Sequence, residues 1–112
     1  MADGSAAEAL AEKYLIKQGL TLVVRNYRCR MGEIDLIMRD QDTLVFVEVR
    51  SRTSTRFGGA LASIDVRKQH KLIVTAQLYL VQLHPTPPCR FDVVLIEGTT
   101  QHPQWMRNAF SA

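Results

Sequence analysis

Cysteine, histidine and long apolar runs are all scarce in this chain, and each scarcity closes off a class of protein. The two cysteines, Cys29 and Cys89, make neither a metal-binding nor a redox spacing, so they are read as reduced thiols. No apolar run approaches the roughly 20 residues that span a bilayer, which excludes a membrane-crossing helix and leaves no membrane partner to expect. The three histidines have no ligand spacing, and there is no glycine-rich phosphate loop, Ser-His-Asp set or zinc pattern. Met1-Ala2-Asp3-Gly4-Ser5 lacks the basic start and apolar segment of a secretory signal, so a cytoplasmic location is expected. Repeats, low-complexity tracts and internal boundaries are also absent. One domain over residues 1–112 follows, long enough to bury a real core.

What is present is an uneven distribution of cations. The net charge of +3 is mild, but ten of the fourteen basic residues are arginine, and seven of those ten lie between Arg25 and Arg56. The planar guanidinium suits bidentate contact with phosphate, which makes a nucleic-acid backbone a plausible partner.

Those arginines surround residues 32 to 50, where two apolar, β-branched runs flank the turn formers Asp40-Gln41-Asp42-Thr43. The pattern predicts a hairpin with strands at about 33 to 39 and 44 to 51. Ile34, Leu36, Met38, Val45, Val47 and Val49 alternate against Ile37, Leu44 and Phe46, so both faces are apolar and the hairpin is central and covered. A turn symmetric about Gln41-Asp42 sets Asp40 opposite Thr43, Asp35 opposite Glu48 and Glu33 opposite Arg50. Side chains so placed sit roughly 5 Å apart at Cβ, and like charges there repel. A shared proton, a nearby cation or a bound metal would offset the Asp35–Glu48 repulsion. Mg²⁺, commonly held by one or two carboxylates, is one such solution. A bulge that shifts the register, or carboxylates that reach solvent at the sheet's end, is another.

The remaining elements follow from periodicity. Residues 5 to 19 predict a helix with the stripe Ala7, Leu10, Ala11, Tyr14 and Leu15, ended by Gly19. Ser5-Ala6-Ala7-Glu8 matches a capping box, which accounts for Glu8 unless it looks toward the sheet. Leu20 to about Arg28 predicts a strand ahead of the hairpin. Ser51 to Ala62 reads as a loop whose Arg52 and Arg56 could close on a nucleic-acid strand. Residues 65 to 83 predict a second helix with Asp65 near the N-cap and a stripe of Leu72, Ile73, Ala76, Leu80 and Leu83. Lys68 and Gln69, at its start, either reach solvent and backbone carbonyls or face the carboxylate end of the hairpin. After His84-Pro85-Thr86-Pro87-Pro88, residues 90 to 96 predict a fourth strand, whose Asp92 is a partner for an arginine or supports the site. The tail, with Trp105 and Phe110, is expected to cover an open part of the core or to make a dimer contact.

The order helix, three strands, helix, strand, with Asp35 and Glu48-Val49-Arg50 on adjacent strands, resembles the PD-(D/E)XK nuclease core. More closely, Gly32-Glu-Ile-Asp-Leu-Ile, Phe46-Val-Glu-Val-Arg, Lys68-Gln69, Arg90-Phe-Asp-Val-Val and Asn108-Ala-Phe look like the bacterial YraN family, over nearly the whole chain. That family is itself similar to archaeal Holliday-junction resolvases. The resemblance implies an α/β, restriction-endonuclease-like fold with a mixed central sheet flanked by helices. It also implies Asp35 and Glu48 as ligands of Mg²⁺ or Mn²⁺, helped by the Val49 carbonyl, with Glu8 as the further acidic residue on the first helix. Arg50 stands where the nuclease pattern has lysine, and arginine cannot take up a proton near neutral pH. Lys68 or a metal-bound hydroxide would then have to act as base, with Gln69 at the site's edge.

The expected function is therefore metal-dependent hydrolysis of a phosphodiester in DNA, including branched DNA, with Asp35, Glu48, Arg50 and Lys68 catalytic and Arg52, Arg56 and Gln69 on the nucleic acid. Resolution of a junction would need two active sites, which makes a homodimer the expectation for that substrate. The rivals are a nucleic-acid-binding module that does not cut and a protein-interaction domain using the Trp105–Phe110 surface.

Overall fold

The computed structural model describes residues 4–52, 64–97 and 102–112. Helix α1 (Gly4–Lys17) leads into strands β1 (Thr21–Cys29), β2 (Gly32–Asp40) and β3 (Thr43–Arg52). Helix α2 (Val66–Leu80) and strands β4 (Cys89–Glu97) and β5 (Pro103–Phe110) follow. The five strands form one sheet in chain order, antiparallel except for β3 and β4, which run parallel. A parallel pair needs a crossover, and α2 supplies it.

Each helix is fixed by its apolar stripe. Ala7, Ala11 and Leu15 of α1 are buried against Leu36, Met38, Val45, Val47, Val94 and Ile96. On the opposite face Leu72 and Ala76 of α2 pack on Ile37, Leu44, Phe46, Phe91, Val93 and Leu95. Both stripes are the ones the sequence predicts, and α/β architecture with helices on a mixed sheet is what they build. Gly19, at φ +104°, ends α1 in the left-handed region, while Leu20 N–H reaches back to the Leu15 carbonyl at 3.1 Å and Gly19 N–H to that of Ile16 at 3.0 Å. Asp65 caps α2, accepting from Lys68 N–H at 2.8 Å. The start of β2 passes close under α2: a Cβ on Gly32 would lie 3.0 Å from Thr75 Oγ1. That approach sets how β2 enters the site.

Four expectations need correction. Helix α2 ends at Leu80 rather than 83; Val81 and Gln82 turn the chain, and Leu83 still packs on the core. Helix α1 begins at Gly4, ahead of the predicted Ser5 cap. The tail is a fifth strand, β5, hidden in the sequence because Pro103, Gln104, Arg107 and Asn108 interrupt any apolar alternation. It does cover the core, through Trp105 on one face and Met106, Ala109 and Phe110 on the other. Finally, Ile34 packs with Ile37 under α2, not with Leu36 and Met38 under α1, so the alternation of β2 inverts around Asp35.

Beside β5, Asp92 is buried to 1% exposure yet fully answered by donors. Its carboxylate accepts from Arg90 Nε at 3.0 Å, Trp105 Nε1 at 2.9 Å and Asn108 N–H at 2.9 Å. Asn108, at φ +52°, sits in the β4–β5 register shift, so the carboxylate holds an irregular stretch of edge strand in place. Arg90 also reaches Asp40 of the hairpin turn at 3.1 Å, confirming arginine as the partner of Asp92. Asp92→Ala strands several of these donors at once. It should lower stability by about 3–5 kcal/mol, the range for breaking a buried charged network, as read from chemical denaturation.

Candidate active site

The β2–β3 ladder pairs Asp40 with Thr43, Arg39 with Leu44, Met38 with Val45, Ile37 with Phe46 and Leu36 with Val47. This is the register expected from a turn centred on Gln41-Asp42. Beyond Leu36 the backbone ladder stops, and the Asp35 carboxylate takes over as acceptor, receiving Val49 N–H at 2.8 Å. On the other side, β1 pairs Arg25 with Leu36 and Tyr27 with Ile34, which leaves Asn26 across from Asp35 in a left-handed conformation, φ +53°. A side chain inserted into the ladder and a left-handed residue opposite it are what turn the strand over at this point.

Glu8 of α1 and Glu48 of β3 both lie close enough to Asp35 for its carboxylate to raise their own carboxyls. Glu48 is only 6% exposed. Burial, and then the charge of Asp35, push its carboxyl up from 4.5 to about 7 against the opposing pull of Lys68 and Arg50. Glu8 is pushed up to about 7 by burial, then by Asp35 and more weakly by Glu33, while a hydrogen bond with Asn26 works the other way. Two cations meet Glu48: Arg50 Nη2 at 3.3 Å and Lys68 Nζ at 3.6 Å. Arg50 Nε is buried without a hydrogen-bond partner, a spare donor beside the carboxylates.

The fold thus brings Glu8, Asp35, Glu48, Arg50 and Lys68 together from α1, β2, β3 and α2. Glu8 looks toward the sheet and lies beside Asp35. Val49 contributes its amide to Asp35. Glu33 does not face Arg50; it pairs with Arg28 of β1 in both ladder and ion pair. Of the two residues opening α2, Lys68 faces the carboxylates, whereas Gln69 donates its amide to the Ile64 carbonyl at 3.0 Å and so fixes the approach to the helix. Arg52 closes β3, and Arg56 lies outside the described residues. Asn26 was not predicted. Its signal was a lone polar amide within Leu20-Thr-Leu-Val-Val-Arg-Asn-Tyr, the kind of residue that tolerates a left-handed backbone.

Among the described residues no three His, Cys, Asp or Glu side chains form a metal cage. The donor set on offer is therefore the Asp35–Glu48 pair. Its oxygen chemistry suits a hard divalent cation whose remaining positions go to water and phosphate.

An α/β sheet protein with an acidic pair at the end of its central hairpin is the class these observations define. The model of the Uncharacterised protein family UPF0102 matches residues 7–96. A UPF0102 protein of Methylobacillus flagellatus is 56% identical over 110 residues, covering 97% of this chain and 96% of its own length. A second, from Nitrosomonas europaea, is 58% identical over 108 residues and covers 96% and 92%. A third, from Psychromonas ingrahamii, is 54% identical over 107 residues and covers 96% and 88%. The chain belongs to the UPF0102 family, the YraN-like family of its sequence resemblance.

Raised carboxyl pKa values carry a stability consequence. Glu8 and Glu48 prefer their neutral forms in the folded state, so their contribution is fully present below about pH 4.5 and is lost as pH rises through about 7. In chelator-treated buffer, Glu48→Gln should be near neutral in effect at pH 5. At pH 8 it should stabilise by about 1–3 kcal/mol, and thermal melting across that range checks it.

Proposed function

We propose that this protein is a divalent-metal-dependent endonuclease that hydrolyses phosphodiester bonds in DNA, with branched DNA as its substrate class. The observation that carries the reading is the convergence of Asp35, Glu48, Arg50 and Lys68 at one end of the central hairpin. The nuclease-like order of elements and the PD-(D/E)XK-like spacing of Asp35 and Glu48-Val49-Arg50 support it further.

Asp35 and Glu48 would hold Mg²⁺ or Mn²⁺, and a cation there would offset the burial and the repulsion by Asp35 that keep Glu48 partly protonated. When bound, such an ion supplies an activated water and polarises the scissile phosphate. The chain's own groups do the rest. Val49 N–H fixes the Asp35 carboxylate, so one donor is oriented before any ligand arrives. Arg50, through the exposed part of its guanidinium, grips the scissile phosphate and neutralises the charge that grows as water adds. Lys68 fills the place of the lysine that the nuclease pattern has at position 50: it brings an ammonium 3.6 Å from Glu48 from another element. Because arginine does not take up a proton, the base would be Lys68 in its neutral form or a metal-bound hydroxide; as an ammonium, Lys68 would instead protonate the leaving oxygen.

The test combines metal titration with cleavage. Mg²⁺ or Mn²⁺ should shift the NMR signals of Asp35, Glu48 and Val49 in wild type and not in Glu48→Gln. Cleavage of a branched DNA should fall below about one hundredth in Asp35→Asn and Glu48→Gln, the loss typical of removing a group that acts on transition-state charge. Arg50→Lys should keep cutting. An Asp35→Asn protein that cuts at the wild-type rate overturns the assignment; salt-sensitive DNA binding without metal shifts or turnover points instead to a binding module.

A further inference from the structure

On the other flank of α1, away from Glu8, a groove of about 230 Å³ is lined by Leu10, Lys13, Tyr14, Lys17 and Pro103. None of the five is acidic, and among the described residues neither lysine forms an ion pair. The cations continue along β5. The Tyr14 ring meets that of Trp105 edge-on at 6.2 Å, and the Arg107 guanidinium lies 4.1 Å above the Trp105 ring. Lys13, Lys17 and Arg107 are exposed, while the Tyr14 and Trp105 rings are half-buried. The groove also begins at the catalytic end of the sheet. Pro103 pairs with Ile96, and Ile96 pairs with Ser51, the residue after Arg50. Two strand spacings, about 10 Å, separate Pro103 from Ser51; Glu48 lies three residues along β3 and turns toward Lys68 of α2, on the sheet face opposite α1.

We propose that this α1–β5 groove binds one unpaired strand of the nucleic acid whose phosphodiester is cut at Asp35 and Glu48. The choice of occupant rests on the nucleic-acid reading of that site. Exposed cations beside partly open aromatic rings match a polyanion whose repeating units carry flat π faces. An acidic peptide offers the charge and not the faces. A groove of this size suits a single strand, such as a flap, a gap or the opened arm of a branch. Lys13 and Lys17 hold successive phosphates, and a base lies against Tyr14.

Trp105 is the chain's one tryptophan, which gives the groove its own reporter. A short oligo-dT is titrated into wild type in chelator, where no metal chemistry runs, and Trp105 emission is followed. Binding should change the emission. Lys13→Glu/Lys17→Glu should weaken it at least tenfold, and the milder Lys13→Gln/Lys17→Gln should weaken it in the same direction. The slope of log affinity on log salt should fall by roughly 0.7 for each phosphate contact removed. Unchanged affinity in the lysine variants, an unmoved Trp105 signal, or equal binding of poly-glutamate each overturns the proposal. The two readings fail separately. Strand binding lost only in the lysine variants upholds the groove whether or not DNA is cut, whereas metal-dependent cutting with full strand binding in those variants refutes the groove and leaves the nuclease reading standing.

Discussion

The hydrogen bond from Val49 N–H to the Asp35 carboxylate organises this molecule. An amide in the middle of a sheet must be paired, and a neighbouring carbonyl normally does it. Here a side chain takes that place, at 2.8 Å, and the β2–β3 backbone ladder ends one residue earlier. Two consequences follow together. The alternation of β2 inverts, so Ile34 goes under α2 while Leu36 stays under α1. The Asp35 carboxylate, lying between the two faces, can then be met by Glu8 from the α1 side and by Glu48, whose cations come from β3 and α2.

The sequence made the register legible and left the inversion hidden, for a physical reason. Hairpin register is set by the turn and by which residues must face the core, and both signals are strong around Gln41-Asp42. The pairs from Asp40–Thr43 to Leu36–Val47 follow that rule, so the closeness of Asp35 and Glu48 could be read in advance. A change of face inside a strand has no comparable signal when both faces are apolar: isoleucine at 34 suits either side of this sheet. The same blindness covers Glu33, which would have met Arg50 had the ladder continued and instead pairs with Arg28. Glu8 was obscured differently. A capping box is a local pattern and explained the residue fully, while its contact with Asp35 is made only through packing of α1 on the sheet. Strand β5 was missed because an edge strand tolerates proline, polar residues and a left-handed Asn108, which erase the alternation by which strands are recognised.

Asp35 and Asp92 make an instructive pair, two aspartates embedded in one sheet with opposite electrostatic outcomes. Asp92 faces donors from three residues, and this complete satisfaction is what a structural role requires. Asp35 receives one amide and is then pressed against two further carboxylates, both held partly neutral near pH 7. A domain of this size gains nothing in stability from that crowding. Local conflict of this kind, in a fold otherwise consistent with its sequence, is where function is best sought.

The cations around Glu48 sharpen the point. Were they present only to neutralise the acidic cluster, the closest pairing would bring Glu48 back to an ordinary carboxyl range; instead it stays raised, to about 7, with Arg50 and Lys68 both within ion-pair distance. Arg50 is moreover used incompletely, one nitrogen directed at Glu48 and its buried Nε at nothing. A site with acids in excess for its own cations, and a cation with a donor to spare, is short of both a positive and a negative partner. In the proposed reading, a divalent ion at the carboxylates and a phosphate on Arg50 and Lys68 would supply both at once.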